Sequence, residues 1–149
     1  MPESPRFLIL DGHSVIYAWD ELRKLHLSTA KRYLAREELL KRMRTLQDMA
    51  GERVVVVFDG TGGNISEERE KDGVQVFYAD ASHTADVVIE RLAAKYASSF
   101  AIRVCTADRM IWEGVRASGA YWISPDTLKF EVEKAEAELG RRIGKKGKR

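Results

Sequence analysis

Four aspartates stand where short apolar runs end or where helices begin, and carboxylates so placed can bind a cation and act on a phosphoester. Asp11 closes Phe7-Leu8-Ile9-Leu10, Asp59 closes Val54-Val55-Val56-Val57-Phe58, Asp86 lies in Thr84-Ala85-Asp86, and Asp108 ends Cys105-Thr106-Ala107-Asp108. Those segments supply no matching Lys or Arg, so the carboxylates repel once gathered, and a cation relieves the repulsion. An all-oxygen ligand set suits Mg²⁺ or Mn²⁺. Such an ion lowers the pKa of a bound water and stabilises the charge that builds on a phosphodiester during in-line displacement. Hydroxyls at Ser14, Thr84 and Thr106, two or three residues from an aspartate, are placed to orient a carboxylate or a metal-bound water. Each aspartate also has an ordinary structural reading. Asp11-Gly12 and Asp59-Gly60 are turn dipeptides, Asp86 suits a helix amino end, and Asp108 suits an N-cap. Their common placement after strands favours a joint site, because turn chemistry does not require Asp at both Leu-rich and Val-rich strand ends.

Short apolar runs alternate with helical periodicities, which implies strands and helices in turn. Phe7–Leu10 and Val54–Phe58 are apolar throughout, as strands buried on both faces are. Val74–Ala79, Ala101–Thr106 and Ala120–Ile123 complete five predicted strands. Leu39, Leu40, Met43 and Leu46 mark a helix that ends near Gly51. Val88, Ile89, Leu92, Ala93 and Tyr96 mark another after Thr84, and a shorter one follows Asp108. Ser124-Pro125 opens the last, with Leu128, Val132, Ala135 and Leu139 on one face and Gly140 as its stop. Asp59 to Gly73 is expected to be a long exposed loop with at most one helical turn. The expected fold is α/β, a three-layer sandwich around a central five-stranded, mostly parallel sheet, with the aspartates at the carboxyl edge where such sheets bind ligands.

The 149 residues suit one domain, and their net charge of +2 conceals an asymmetry. Six of the 25 basic residues lie in Gly140–Arg149, so the first 139 residues hold 19 against all 23 acidic groups. A domain over 1–139 and a flexible basic tail over 140–149 are expected. The tail residues Arg141, Arg142, Lys145, Lys146, Lys148 and Arg149 would bind a polyanion. No apolar run approaches the ~20 residues of a spanning helix, and the amino terminus lacks an export pattern, so a cytoplasmic protein is expected. A single cysteine, Cys105, excludes an internal disulfide and fits a reducing compartment.

Leu8-Ile9-Leu10-Asp11-Gly12-His13-Ser14, Val55-Val56-Val57-Phe58-Asp59, Thr84-Ala85-Asp86-Val87-Val88-Ile89-Glu90 and Val104-Cys105-Thr106-Ala107-Asp108 resemble, in order and spacing, the signature segments of the NYN domain and, within it, the bacterial YacP-like group. The resemblance spans about Phe7 to Leu139. It implies a PIN-like fold and a metal-dependent endoribonuclease acting on mRNA or rRNA, in part in association with ribosomes. Asp11, Asp59, Asp86 and Asp108 match the family's acidic positions, so the resemblance implies that they are catalytic, with Asp11, Asp86 and Asp108 as ligands of Mg²⁺ or Mn²⁺. The family's Asp-Gly-Tyr-Asn is replaced by Asp11-Gly12-His13-Ser14, in which Ser14 can still donate and accept a hydrogen bond.

That departure sustains an alternative, a non-catalytic RNA- or ribosome-binding module of the same fold. A phosphatase of the HAD type is disfavoured, because Thr61 stands where its motif needs a second Asp. His13, His26 and His83 are read as surface residues and Cys105 as a buried hydrophobe. Trp112 is read as core, while Trp19, Trp122, Tyr17 and Tyr121 suit either packing or base stacking. Arg69, Lys71 and Arg109 are candidate phosphate contacts, with solvated surface as the more ordinary reading. The oligomeric state is not legible in the sequence.

Overall fold

Strict alternation along the apolar runs decides which of two cores each side chain enters. In the computed structural model, β1 (Arg6–Asp11) sends Leu8 and Leu10 to one face and Ile9 to the other. Strand β2 (Arg53–Asp59) divides Val54, Val56 and Phe58 from Val55 and Val57 in the same way. Residues 5–59, 66–69, 73–80 and 84–147 are described, and the side chains of 66–69 and 145–147 fall outside that description. The remaining strands are β3 (Ser66–Arg69), β4 (Gln75–Ala79), β5 (Ala101–Cys105) and β6 (Tyr121–Ile123), in the spatial order β3-β4-β2-β1-β5-β6. The five expected strands are all parallel, whereas β3 adds an antiparallel edge to β4 within the segment read as a loop. Its Ser-Glu-Glu-Arg sequence has no apolar alternation to reveal it, and pairing to β4 alone makes it a strand.

The first crossover is divided into α1 (Gly12–Ala18), α2 (Asp20–Leu27) and α3 (Arg32–Ala50). Helix α1 follows β1 without a loop. Gly12 allows this, since a Cβ there would lie 2.5 Å from ring carbons of Phe58. Trp19, extended and fully buried, separates α1 from α2 and donates its indole N–H to the Pro125 carbonyl at 2.9 Å. Trp19 is therefore core. Gly51 closes α3 in the left-handed conformation, at φ 71°. Helices α1 to α3 pack on one face with α6 (Pro125–Gly147), while α4 (Ala85–Tyr96) and α5 (Arg109–Ala117) cover the other.

The expectation that Gly140 ends the last helix is not met, because α6 continues to Gly147. A glycine inside an exposed helix costs about 1 kcal/mol relative to Ala. Glu138 pairs with both Arg141 and Arg142 across it, the i,i+3 and i,i+4 spacing that favours a surface helix. The described part of the basic segment is thus helical. Among the described residues no helix is long and apolar enough to cross a membrane.

Candidate functional site

The sheet reverses its direction of growth between β1 and β5. From β1 the chain builds outward to β2 and β4, then returns to place β5 and β6 on the other side. Open parallel sheets bind ligands outside the carboxyl ends of the strands at such a point. Asp11 ends β1 there and Thr106 follows β5, with Leu10 and Cys105 paired in the ladder just before them. Asp11 is buried, and two hydroxyls hold it. Ser14 Oγ donates to Asp11 Oδ2 at 2.7 Å, and Thr106 Oγ1 donates to the same oxygen at 3.1 Å. Each hydroxyl has a single proton, and Asp11 takes both. The 3.3 Å approach of the two hydroxyl oxygens is then contact without a further bond. Thr106 also accepts from the Asp108 amide at 3.0 Å, which ties β1 to the start of α5.

Two of the aspartates cap helices. Asp108 Oδ1 accepts from the Met110 amide at 2.8 Å as the N-cap of α5. Asp59 Oδ1 accepts from the Ala85 amide at 2.9 Å, while its Oδ2 lies 4.0 Å from His13 Nε2. Asp59 thereby does at the start of α4 what Thr84 was expected to do. The Thr84 hydroxyl makes no capping bond and the residue is exposed, so the structure does not bring it into the hydroxyl network. Helices α1, α4 and α5 all begin at this edge, and their partial positive ends favour nearby carboxylates.

The carboxyl of Asp86, in the first turn of α4, is raised above its ordinary pKa. Burial is the largest cause, followed by the charges of Asp108, Asp11 and Asp59 in that order. The four aspartates named from sequence therefore act on one another. Among the described residues no three His, Cys, Asp or Glu side chains gather closely enough to cage a metal ion. Mg²⁺ seldom requires a cage, since it is commonly held by one or two carboxylates, retained waters and substrate phosphates. An all-carboxylate set under mutual repulsion fits a hard divalent ion bound in that manner. An open hollow of about 580 Å³ lies alongside, lined by His13, Ser14, Tyr17, Ala18, Asp59 and Ala107.

Other sequence readings change in three dimensions. His26 is buried and not at the surface, with its ring against His13 and Tyr17 and its Nδ1 without a hydrogen-bond partner. Burial chiefly, with the charges of His13, Arg32 and Arg36, pushes its pKa down. His13 lies in the first turn of α1 and is half-buried rather than in a turn facing solvent. Trp112 is not core but half-buried, stacked on Trp122 with ring centroids 4.6 Å apart. Cys105 is fully buried as expected, and burial raises its thiol well above the usual range. Arg141 and Arg142 lie sixteen and seventeen residues beyond Pro125 on α6, roughly 25 Å along the helix from its site-side start. The structure does not bring them to the aspartates. The side chains of Arg69, Lys145 and Lys146, and residues Thr61, Lys71, His83, Lys148 and Arg149, lie outside the description.

The sequence matches the YacP-like NYN domain over residues 8–149. It is 31% identical over 140 residues to a Bacillus subtilis (strain 168) protein named YacP, across 93% of this chain and 81% of that one. The fold superposes on a crystal structure of a single-substitution mutant of Rae1 (YacP) from Bacillus subtilis with a TM-score of 0.81. That pair is 30% identical and covers 96% of this chain and 84% of the other. A second Rae1 (YacP) crystal structure gives a TM-score of 0.78 at 32% identity, covering 93% and 80%.

Proposed function

The chain belongs to the YacP-like NYN domain family, and from that premise we propose that it is a metal-dependent endoribonuclease whose site is the aspartate cluster at the reversal of the sheet. The family is of nuclease type, with a PIN-like fold and an RNA-related function. The observation that carries the reading is the convergence at that reversal of Asp11, held by Ser14 and Thr106, with Asp59 and Asp108 at the starts of α4 and α5 and Asp86 in the first turn of α4; the carboxyl of Asp86 is raised there by burial first and by the other three charges second. Asp11, Asp86 and Asp108 are the ligand candidates, and one or two of them at a time, with retained waters and substrate phosphate oxygens, would hold Mg²⁺ or Mn²⁺. When bound, the ion supplies an activated water and offsets the charge that develops on the phosphodiester.

The chain's own residues prepare that site. Ser14 and Thr106 fix one oxygen of Asp11, so this carboxylate cannot turn away when the cluster is empty of counter-charge. Asp59 anchors the start of α4 and thereby sets where Asp86 stands. The hollow beside His13 and Tyr17 leaves room for an RNA strand to approach. Arg141, Arg142, Lys145, Lys146, Lys148 and Arg149 would attract mRNA or rRNA, on the ribosome or free of it, at a distance from the reacting bond. Their contribution falls with salt, because each neutralised phosphate releases counterions.

The test is Asp11→Asn combined with Asp108→Asn, assayed for Mn²⁺-dependent cleavage of single-stranded RNA. A loss of at least about a hundredfold is expected, with circular dichroism and melting preserved. Undiminished cleavage would remove the cluster from the reaction. The non-catalytic reading required Ser14 to have forfeited the role of the family's Asn, yet Ser14 keeps a short hydrogen bond to Asp11. Calorimetric titration with Mn²⁺ separates the two readings, since a binding module would take up RNA yet bind no ion at the cluster.

A further inference from the structure

Beside the aspartates, α5 and the edge strand β6 carry a stacked aromatic pair that the cleavage chemistry does not use. The rings of Trp112 and Trp122 lie 4.6 Å apart and 27° from parallel. The guanidinium groups of Arg109 and Arg116 stand 6.0 and 5.6 Å from the Trp112 ring centre. A stack made only for packing would be covered. Here Trp122 is 36% exposed and its neighbour Tyr121 is 68% exposed, because β6 is the last strand of the sheet.

The stack is also tied to the site by covalent and hydrogen-bonded connections. Trp122 Nε1–H donates at 2.8 Å to the carbonyl of Thr106, the residue whose hydroxyl holds Asp11. Trp112 sits one helical turn past Asp108, donating its amide to the Asp108 carbonyl at 3.1 Å. The backbone of Trp112 therefore lies about one turn of helix, ~5.4 Å of rise, beyond that of Asp108.

We infer that Trp112 and Trp122, with Arg109 and Arg116, form the subsite that stacks the nucleobase flanking the scissile phosphate of single-stranded RNA. The inference rests on the proposed endoribonuclease reading and adds how the substrate is gripped. Carboxylates repel a phosphate chain, Lys129 near the start of α6 is already paired with Glu21, and Arg141 and Arg142 stand roughly 25 Å along that helix, so a further source of affinity is needed at the reacting nucleotide. Aromatic faces supply it for any base, and adjacent guanidinium groups pair with the phosphates on either side. A subsite of this kind tolerates sequence variation and prefers unpaired strands, because a base within a duplex has no free face to offer.

The experiment uses the full chain with EDTA present, so that binding is read without cleavage, and a fluorescently labelled short oligoadenylate as probe. Trp112→Leu is expected to weaken binding roughly tenfold or more, while Trp112→Tyr, which keeps a stacking face, stays close to the parent. An abasic nucleotide moved along the probe should cost the parent protein affinity at one position and cost Trp112→Leu nothing there. Equal losses in the Leu and Tyr variants, or an abasic scan without a sensitive position, would overturn the subsite even if the parent cleaves RNA. The abasic scan of the parent needs no variant and so stands if Trp112→Leu does not fold. Failure of the parent to bind the probe overturns the subsite, and cleavage of RNA by the same protein with Mn²⁺ would then leave the endoribonuclease reading standing. Binding with the expected losses, in a protein that never cleaves, leaves the subsite standing and removes only the catalysis.

Discussion

Two carboxylate clusters in this molecule are built from the same chemistry and left in opposite electrostatic states. Glu52, buried just before β2, receives two hydrogen bonds from Arg103 at 2.6 and 2.9 Å, and Glu131 of α6 receives two more at 2.9 and 3.0 Å. Those bonds, with Glu52 first and Glu131 second, hold the Arg103 guanidinium above its ordinary range. At the carboxyl edge, Asp11 accepts from the neutral hydroxyls of Ser14 and Thr106, and Asp86 is partly buried and opposed by three like charges. A structural cluster carries its counter-charge within the chain. The aspartate edge, proposed to accept a cation, has no paired Lys or Arg among the described residues, and this difference separates the two better than burial, since both contain a carboxylate that is almost wholly buried.

Removing the internal counter-charge gives the largest expected effect. Arg103→Met leaves Glu52 buried and unpaired, and urea denaturation should show a loss of about 3 kcal/mol. A loss well under about 1 kcal/mol would mean that water solvates Glu52 and that the contrast between the clusters is weaker than drawn.

At the other cluster the same kind of change should act with the opposite sign. Asp86 binds its proton more readily folded than unfolded, so metal-free stability falls as pH rises through the window between those two pKa values. Asp86→Asn is therefore expected to raise the melting temperature at neutral pH. The gain should fade once the pH drops below about 4, where the unfolded carboxyl is also protonated. A melting temperature lowered at neutral pH would show Asp86 to be a stabilising residue and would erase the comparison.

His26 offers the smallest and sharpest check. Its depressed pKa means that its contribution is present above about pH 6.5 and is lost as acid forces a proton onto the buried ring. His26→Phe keeps a ring against His13 and Tyr17 and removes the titration. Thermal melts between pH 7 and pH 5 should fall less steeply in that variant than in the parent.

The parallel strands, their order along the chain and the position of Asp11 and Asp59 at strand ends were legible because β1 and β2 are apolar runs that stop at an aspartate, and the shorter strands are mainly apolar despite Gln75 and Arg103. Ser66–Arg69 was not legible, since its four polar residues are made a strand only by the edge of β4. Gly140 misled because glycine marks helix ends on average, whereas here ion pairs from Glu138 carry the helix across it. Thr84 has the type and place of a capping residue, but Asp59, 26 residues away from Ala85, reaches the helix start first. Trp112 and His26 were misplaced for one reason: burial is decided by what packs against a side chain, and local pattern does not report it. Trp112 stacks on Trp122 of β6, the last strand on that side of the sheet, while His26 is covered by the rings of α1.

By itself the sequence determined the alternation of strands and helices and the residue types available at the strand ends, because both depend on local hydrophobic pattern and on what may follow a buried strand. Only the tertiary structure decided that Thr106, 95 residues from Asp11, would hold it, that Asp59 and Asp108 would serve as caps, and that no cation among the described residues would pair with Asp86 as Arg103 pairs with Glu52. Those are facts of juxtaposition. They follow from the reversal of the sheet between β1 and β5, which brings distant strand ends side by side and leaves their charges for a ligand to balance.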